Sequence, residues 1–397
     1  MRSKLFLSIA ISLAPLALAA CGSDAATTAS NDLDASATDG TSGDATSDVS
    51  SAHDAGSGDA ASADASKSDA SSDGATTNDG SASDASDSGI TTDGSSCGTC
   101  ATGFSCGTGG YCVSATGVPQ FGRVFVVVME NHSQSSVRGS ASAPYINGLM
   151  NSYAYGTSYA NVAHPSLPNY VAMTSGDTQG ITCDCHPDPQ LGACTAFCLI
   201  ISSCGCNKAV AHLGDQLEAK SLEWREYAEG MGTPCNLADN GSYAAKHVPF
   251  LYYDNVRSNA ARCAARTRDY GDFATDLAAR TYRFSYVSPN LCHDMHDSCA
   301  PTNDSIKQGD DWLQTNMAPI ITSLTGTDVL FIVWDEQDNS IGSAPVPFVI
   351  VSPVVRTGST YTAASNHYNL LATIEDGFGL PRLAGAVGVT PVTGIWK

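Results

Sequence analysis

From about residue 120 onward, short continuous apolar runs alternate with stretches whose apolar residues recur at helical spacing. The runs Arg123 to Met129 and Asp328 to Trp334 are rich in β-branched residues, which is typical of central strands in a parallel sheet whose two faces are both covered. Shorter runs at Arg283 to Ser288 and Val346 to Ser352 predict further strands. Helices are predicted for five segments: Pro144 to Tyr153, Asn207 to Lys220, Asp272 to Ala279, Ser305 to Leu324 and His367 to Phe378.

This alternation of strands and helices predicts an α/β fold, a three-layer α/β/α sandwich that occupies residues 119–397 as one large domain. In such folds a ligand site lies where strands end and loops begin. The side chains that follow the predicted strands are therefore the first candidates for chemistry.

The first 96 residues have a different pattern. Arg2 and Lys4 precede an apolar run in residues 5–18, so residues 1–20 read as an export signal and not as a transmembrane span. The sequence LAAC that ends at Cys21 resembles a bacterial lipobox, in which cleavage leaves Cys21 as a diacylglycerol-bearing amino terminus. An ordinary signal peptidase site is the alternative. Lipidation predicts a cell-envelope lipoprotein, and Gly22 is compatible with the outer membrane or cell surface.

Residues 22–96 contain 15 aspartates, one lysine and no aromatic residue, which places −14 of the chain's net charge of −21 in this segment. Such a composition cannot bury enough apolar surface to offset the entropy of ordering, so we expect a disordered tether. The folded part, residues 97–397, carries 16 basic and 25 acidic residues without a basic run. This balance argues against a nucleic-acid partner.

The chain has 15 cysteines, and an exported protein of this kind is expected to form disulfides. Four of them lie in a Gly-rich stretch that predicts a small module at residues 97–118 closed by two bridges, with a zinc knuckle as the alternative. Six more crowd into residues 183–206, which predicts a disulfide-stapled surface insertion. Apart from Cys21, the remaining four are Cys235, Cys263, Cys292 and Cys299.

Two pairs of oxygen-bearing side chains directly follow the two strongest predicted strands: Glu130 with Asn131, and Asp335 with Glu336. Hard divalent cations prefer carboxylate and carbonyl oxygens, and neighbouring strand ends can bring both pairs to one ion. The residue types do not distinguish Mg²⁺, Mn²⁺, Ca²⁺, Fe or Zn²⁺. Acidic residues also follow strands as simple caps, so either pair alone is weak evidence.

Between these strands, the segment HPSLPNY predicts a tight loop that enters a helix near Pro168. Ser166 then lies at a helix amino terminus, where the dipole and unpaired N–H groups favour an alkoxide and a bound phosphate. A serine at this position is also a common helix N-cap, which is the alternative.

Five motifs follow one another from Val127 to Leu380: VVMEN, HPSLPNYVAMTSG, SPNLCHDMHD, VWDE and HYNLLATIEDGFGL. In this order they resemble the bacterial and fungal phosphoesterase family, which contains secreted acid phosphatases and phospholipases C. That family is a branch of the alkaline phosphatase-like superfamily. The resemblance implies an alkaline phosphatase-like fold and Ser166 as a phosphorylated nucleophile. It places His164 and His367 near the phosphate. It implies four metal ligands: Glu130, Asn131, Asp335 and Glu336.

The motif PNLCHDMHD adds a dense group of imidazoles and carboxylates after a predicted strand. His293 and His296 suit protonation of a leaving group, while Asp294 and Asp297 are candidates for a second cation. A permanent second metal is in doubt, because Asn290 stands where the superfamily's second site has an aspartate. We expect structural or surface roles for the other histidines of the folded part: His132, His186, His212 and His247.

Together with the resemblance, these residues predict metal-dependent hydrolysis of phosphate monoesters through a phosphoserine. The compact HPSLPNY form resembles the acid phosphatase branch of the family, which includes phosphoinositide phosphatases. A phospholipase C-type phosphodiesterase is the runner-up, disfavoured because few residues follow the last motif. A catalytically inactive surface-binding protein is the alternative from a different class, although none of the expected site residues is lost. A sulfatase would need an arginine that the segment after Ser166 lacks.

Overall fold

The computed structural model describes residues 97–188, 207–338 and 344–397. The predicted leader, Cys21 and the acidic tether lie outside these residues, as do four cysteines of the predicted insertion: Cys194, Cys198, Cys204 and Cys206. The strands are β1 (Phe104–Cys106), β2 (Cys112–Ser114), β3 (Val124–Met129), β4 (Ala154–Gly156), β5 (Tyr159–Ala160), β6 (Trp224–Ala228), β7 (Thr267–Asp269), β8 (Phe284–Ser288), β9 (Val329–Trp334), β10 (Phe348–Val351), β11 (Ser359–Tyr361) and β12 (Ser365–Asn366).

The α-helices of the described residues are α1 (Gln134–Val137), α2 (Pro144–Ser152), α3 (Ser166–Ser175), α4 (Leu213–Ala219), α5 (Asp254–Arg257), α6 (Ala260–Arg266), α7 (Phe273–Ala279), α8 (Ser305–Ser323) and α9 (His367–Phe378). Short 3₁₀ turns lie at Ala245–His247, Pro249–Tyr252, Tyr270–Asp272 and Ala384–Ala386. None of the helices in this part of the chain is long and apolar enough to cross a membrane.

Eight strands form one sheet in the order β11-β4-β10-β9-β3-β8-β6-β7. The strands β3, β8 and β9 are parallel neighbours, and only β10 runs against the other seven. Every residue of β3 and β9 is buried. Because successive side chains of a strand point to opposite faces, both faces of the sheet centre are covered. The three-layer α/β fold predicted from the sequence is thereby confirmed.

The helices form two separate packed groups. Helix α2 packs on α8 and on strands β4 and β10, whereas α3 packs on α9 and on the turns at Ala245–His247 and Pro249–Tyr252. Helix α9 begins with a capping box in which the Asn366 side chain accepts from Tyr368 N–H. Its Gly377 lies so close to the Phe121 ring that a Cβ there would be 2.0 Å from the ring. The glycine is therefore required for this contact.

All four predicted strands and four of the five predicted helices agree with the structure to within two residues. The helix predicted from Asn207 was wrong in its first half. Lys208 instead forms a β-bridge with Tyr253, and helix α4 begins only after His212, whose ring accepts from Gly214 N–H. Helix α3 begins at Ser166, two residues before the predicted Pro168.

Four disulfides join described cysteines. Cys97–Cys106 and Cys100–Cys112 close the small amino-terminal module, which confirms the two bridges expected there and leaves those thiolates unavailable for zinc. The other two are Cys235–Cys263 and Cys292–Cys299. The last bridge closes the loop that carries His293 and His296. Disulfides of this number are typical of exported proteins.

Candidate functional site

A cluster of three buried carboxylates lies at the ends of the central strands. Met129 pairs with Trp334 at the last position of the β3–β9 ladder, so Glu130 and Asp335 leave the sheet side by side. Glu130 and Asp335 are fully buried and Glu336 is 5% exposed. One oxygen of each lies within 4.8 Å of the others. The structure thus brings together three of the four predicted metal ligands.

The fourth predicted ligand, Asn131, is at the same corner. Its backbone N–H donates to Oδ1 of Asp335 over 3.3 Å, and its φ of 51° lies in the left-handed region, which asparagine tolerates better than most residues. The chain therefore turns sharply directly after Glu130. This turn fixes the backbone of Asn131 against Asp335.

Ser166 faces the carboxylate cluster. Its buried hydroxyl lies 2.9 Å from Oε2 of Glu130 and 3.2 Å from Oε1 of Glu336, and it donates to one of these oxygens. The N-cap of helix α3 is Pro165, and Ser166 is the first helical residue. The capping role considered from the sequence is therefore wrong, because the hydroxyl donates to carboxylates and does not cap the helix.

The loop before Ser166 is held by a residue that carried no chemical signal in the sequence. The side chain of Asn169 accepts from the N–H groups of Val162 and Ala163, each over 3.0 Å, and donates to the carbonyls of Ala163 and Pro165. Asn169 is fully buried. These four bonds fold the loop back onto its own helix and so set the position of Ser166.

His164 lies beside the same cluster. Its Nδ1 is 2.5 Å from Oε2 of Glu336, and its Nε2 is 3.0 Å from Nδ2 of Asn161. The side chain is 21% exposed, so the ring sits at the edge of the site and not beneath it.

His247 is a second site residue that sequence reasoning missed. We expected a structural or surface role, but its buried ring lies between two carboxylates, with Nε2 3.0 Å from Glu130 and Nδ1 3.2 Å from Asp294. The ring also stacks on Tyr170 of helix α3, with centroids 4.9 Å apart. No motif surrounds His247 in the sequence, because a 3₁₀ turn far along the chain carries it to Glu130.

The charges of this cluster are strongly coupled. Burial works to raise the pKa of Glu130, but His247 outweighs it and holds this pKa at about 2. Burial likewise works to lower the pKa of His247, whereas Glu130 and Asp294 raise it to about 9. Glu130 and His247 therefore form a buried ion pair near neutral pH.

The other two carboxylates show the opposite behaviour. Burial, followed by repulsion from Glu130, raises the pKa of Asp335 well above its usual range and that of Glu336 to about 8. Oδ2 of Asp335 is buried without a hydrogen-bond partner among the described residues. Buried carboxylates with this much repulsion and an unpaired oxygen fit a divalent cation, which favours their ionised forms.

The two histidines of the loop closed by Cys292–Cys299 have different surroundings. Nδ1 of His293 lies 2.9 Å from Glu229, and the ring stacks on Trp312, away from the cluster. The His296 ring centroid lies 6.3 Å from that of His247, and its Nδ1 is 2.7 Å from Asp297. Of the two histidines predicted for proton transfer, His296 is the one near Glu130.

Asp294 and His367 are buried residues that contact the residues of the carboxylate cluster. Asp294 is fully buried, contacts His247, and its backbone carbonyl accepts from Glu130 N–H over 2.7 Å. His367 is also fully buried, with Nε2 2.6 Å from the Asp335 carbonyl and Nδ1 3.0 Å from the Tyr159 hydroxyl. Because both ring nitrogens of His367 are engaged, this geometry favours a positioning role over the expected phosphate contact.

The site can be compared with known proteins. The model of the phosphoesterase family matches residues 139–381, more than half of the chain. The chain belongs to the phosphoesterase family. It is 31% identical over 290 residues to a phosphatidylinositol-3-phosphatase of Mycobacterium tuberculosis, a match that covers 72% of this chain and 86% of the relative. The family resemblance stated from the motifs is thus confirmed.

This phosphoesterase is also 26% identical to an acid phosphatase of Aspergillus fumigatus over 66% of this chain and 56% of the relative, so it spans little more than half of that fungal protein. Among solved structures, an alkaline phosphatase superfamily protein of Vibrio parahaemolyticus aligns with a TM-score of 0.46 and 11% identity, over 70% of this chain and 72% of that one. As a member of this family, the protein is a hydrolase that acts on phosphoester bonds.

Proposed function

We propose that this phosphoesterase hydrolyses phosphate monoesters through a covalent phosphoserine at Ser166, with the help of one divalent cation. The observation that carries the proposal is the Ser166 hydroxyl, which lies 2.9 Å and 3.2 Å from two carboxylates of the cluster at the strand ends. A serine whose proton has two carboxylate acceptors is activated as a nucleophile. The mycobacterial phosphatidylinositol-3-phosphatase and the fungal acid phosphatase support the choice of monoesters.

In the first half-reaction, Oγ of Ser166 loses its proton towards Glu336 and attacks phosphorus in line. The bond to the leaving oxygen breaks, and the departing alcohol takes a proton from His296. In the second, His296 takes a proton from the attacking water, the bond between phosphorus and Oγ breaks, and Ser166 regains its proton from the carboxylate as phosphate leaves.

Four side chains would hold the cation: Glu130, Asn131, Asp335 and Glu336. When bound, a divalent cation supplies positive charge to the phosphoryl oxygens and lowers the pKa of the serine hydroxyl. Around it, His164 and His367 would keep Glu336 and Asp335 in place through the contacts described above. Asp294 and Asp297 are already engaged by His247 and His296, so they fit supporting roles better than a second cation site.

Two substrates test this function directly. With added divalent cation, the purified protein should release p-nitrophenol from p-nitrophenyl phosphate at least about tenfold faster than from p-nitrophenyl phosphorylcholine, its diester counterpart. A preference for the diester would reverse the assignment and favour a phospholipase C-type activity. No turnover of either compound would favour the inactive binding protein.

A second prediction separates the two histidines. His296→Ala should lower kcat about 10²- to 10⁴-fold for glycerol phosphate, an alkyl ester whose leaving group needs a proton, and much less for p-nitrophenyl phosphate. The matched variant His293→Ala removes a ring that contacts Glu229, so it should affect both substrates alike and weakly. If His296→Ala lowers kcat equally for both substrates, His296 is not the general acid.

We also propose that the mature protein is a cell-envelope lipoprotein whose lipid is attached at Cys21. The lipobox-like sequence before Cys21 and the acidic segment after it support this placement. Residues 22–96 would then link the lipid to the catalytic domain. Metabolic labelling with a fatty acid, compared between the native chain and Cys21→Ser, would detect the lipid.

A further inference from the structure

An ion pair joins the nucleophile's helix to a lysine that the mechanism above does not use. Nζ of Lys246 lies 2.7 Å from Oδ2 of Asp184, and the other oxygen of Asp184 accepts from Leu167 N–H over 3.0 Å. Leu167 directly follows Ser166 in helix α3. A single carboxylate therefore fixes the ammonium of Lys246 relative to the first turn of the helix that carries Ser166.

Lys246 is electrostatically part of the active site. Burial alone would lower its pKa, but Asp184, then Glu130 and Asp335, raise it, so the ammonium is charged throughout the neutral range. His247, the next residue, contacts Glu130 directly. Lys246 thus adds a permanent positive charge to a cluster in which Glu130, Asp335 and Glu336 are all acidic.

The ammonium is also accessible. The Lys246 side chain is 24% exposed and lines a cavity of about 160 Å³, together with Asp239, Tyr243 and Leu291. An ammonium group has three N–H donors, and Asp184 takes one of them. Donors therefore remain for an anionic ligand, and Asp184 holds the ammonium next to the first turn of the helix that carries Ser166.

We propose that Lys246 binds a nonbridging phosphoryl oxygen of the substrate and selects phosphate monoesters over diesters. This inference rests on the proposed function and adds the residue that sets its substrate class. A monoester is a dianion near neutral pH, whereas a diester carries one negative charge and an extra organic group. A fixed ammonium therefore favours the monoester more strongly. Asp184 acts as the positioning residue, because its ion pair holds the ammonium of Lys246 in place.

The test compares Lys246→Met with the native protein on p-nitrophenyl phosphate and on bis(p-nitrophenyl) phosphate. The kcat/KM for the monoester should fall about ten- to a hundredfold, which is the effect of losing one charge-assisted hydrogen bond, and that for the diester should fall less, so the ratio of monoester over diester decreases. Lys246→Arg keeps the charge and should restore most of this ratio. Lys307→Met is the matched control, since Lys307 forms an exposed ion pair with Asp311 elsewhere. It should leave the ratio unchanged.

An unchanged ratio in folded Lys246→Met would overturn the proposal, because a lysine that only stabilises the acidic cluster would alter thermal stability and not substrate choice. Should Lys246→Met fail to fold, Lys246→Gln gives the same comparison with a polar side chain. If the native protein hydrolyses neither ester, the proposed function fails separately. Binding of inorganic phosphate, measured by calorimetry with added divalent cation, then tests whether Lys246 binds phosphate. About tenfold weaker binding in Lys246→Met supports the site, and equal binding refutes it.

Discussion

Ser166→Ala is expected to lower the phosphatase kcat about 10⁴-fold or more while leaving the protein folded. Without Oγ no phosphoserine can form, and water would have to attack the substrate directly. The methyl group fits the space of the hydroxymethyl group, and Glu130 keeps its contact with His247 after the substitution. Phosphate release under saturating monoester measures the loss, and thermal unfolding checks the fold.

Ser175→Ala is the matched control for this variant. Ser175 is another buried serine of helix α3, but its hydroxyl donates to backbone carbonyls of the helix and the following turn. Its removal should lower stability by about 1 kcal/mol and leave kcat nearly unchanged. Acid-quenched native enzyme should carry the mass of one phosphoryl group in intact-mass spectra, and Ser166→Ala should not. Substantial turnover by Ser166→Ala would refute the phosphoserine mechanism.

Removal of the cation should abolish activity and also destabilise the fold. A ligand present at about a hundred times its Kd contributes about 2.7 kcal/mol, so a chelator should lower Tm by about 5–10 °C. Re-addition of a divalent cation should restore both properties. In the chelated protein, Asp335 and Glu336 repel Glu130 and each other, which is the physical source of the loss.

The size of this loss should depend on pH. The folded pKa of Glu336 is about 8 without a cation, above the usual value of 4.5, so the folded state holds a proton that the unfolded state releases earlier. The contribution of Glu336 to the stability of the chelated protein is therefore fully present below about pH 4.5 and is lost as pH rises towards 8. Asp335→Asn removes one repelling charge and should unfold at nearly the same temperature with and without chelator. If the chelator changes neither the Tm nor the activity of the native protein, the proposed metal site is refuted.

The central strands and the acidic pairs after them were readable from the sequence because a buried parallel strand has an unusual composition. The same reasoning located Ser166, whose motif is local. It could not find His247, Asn169 or Asp184. Their roles depend on loops that return to the sheet edge from distant parts of the chain, and no local pattern records such a return. Family resemblance placed His367 near the phosphate, but the sequence could not show that both of its nitrogens face Asp335 and Tyr159.

The segment Asn207 to His212 shows a second limit. Its spacing suits a helix, but Lys208 pairs with Tyr253 and His212 caps the helix that follows. Tertiary contacts thus override a helical pattern that is only two turns long.

The disulfide between Cys292 and Cys299 makes the structure of this loop depend on the redox state of the compartment. It ties the two ends of the loop that presents His296, so the loop is covalently closed only after oxidation. In a reducing compartment this loop would be open, and His296, the residue we propose as proton donor, would be held less firmly. Export would then do more than deliver the enzyme. It would also close the loop that carries His296 in the proposed site.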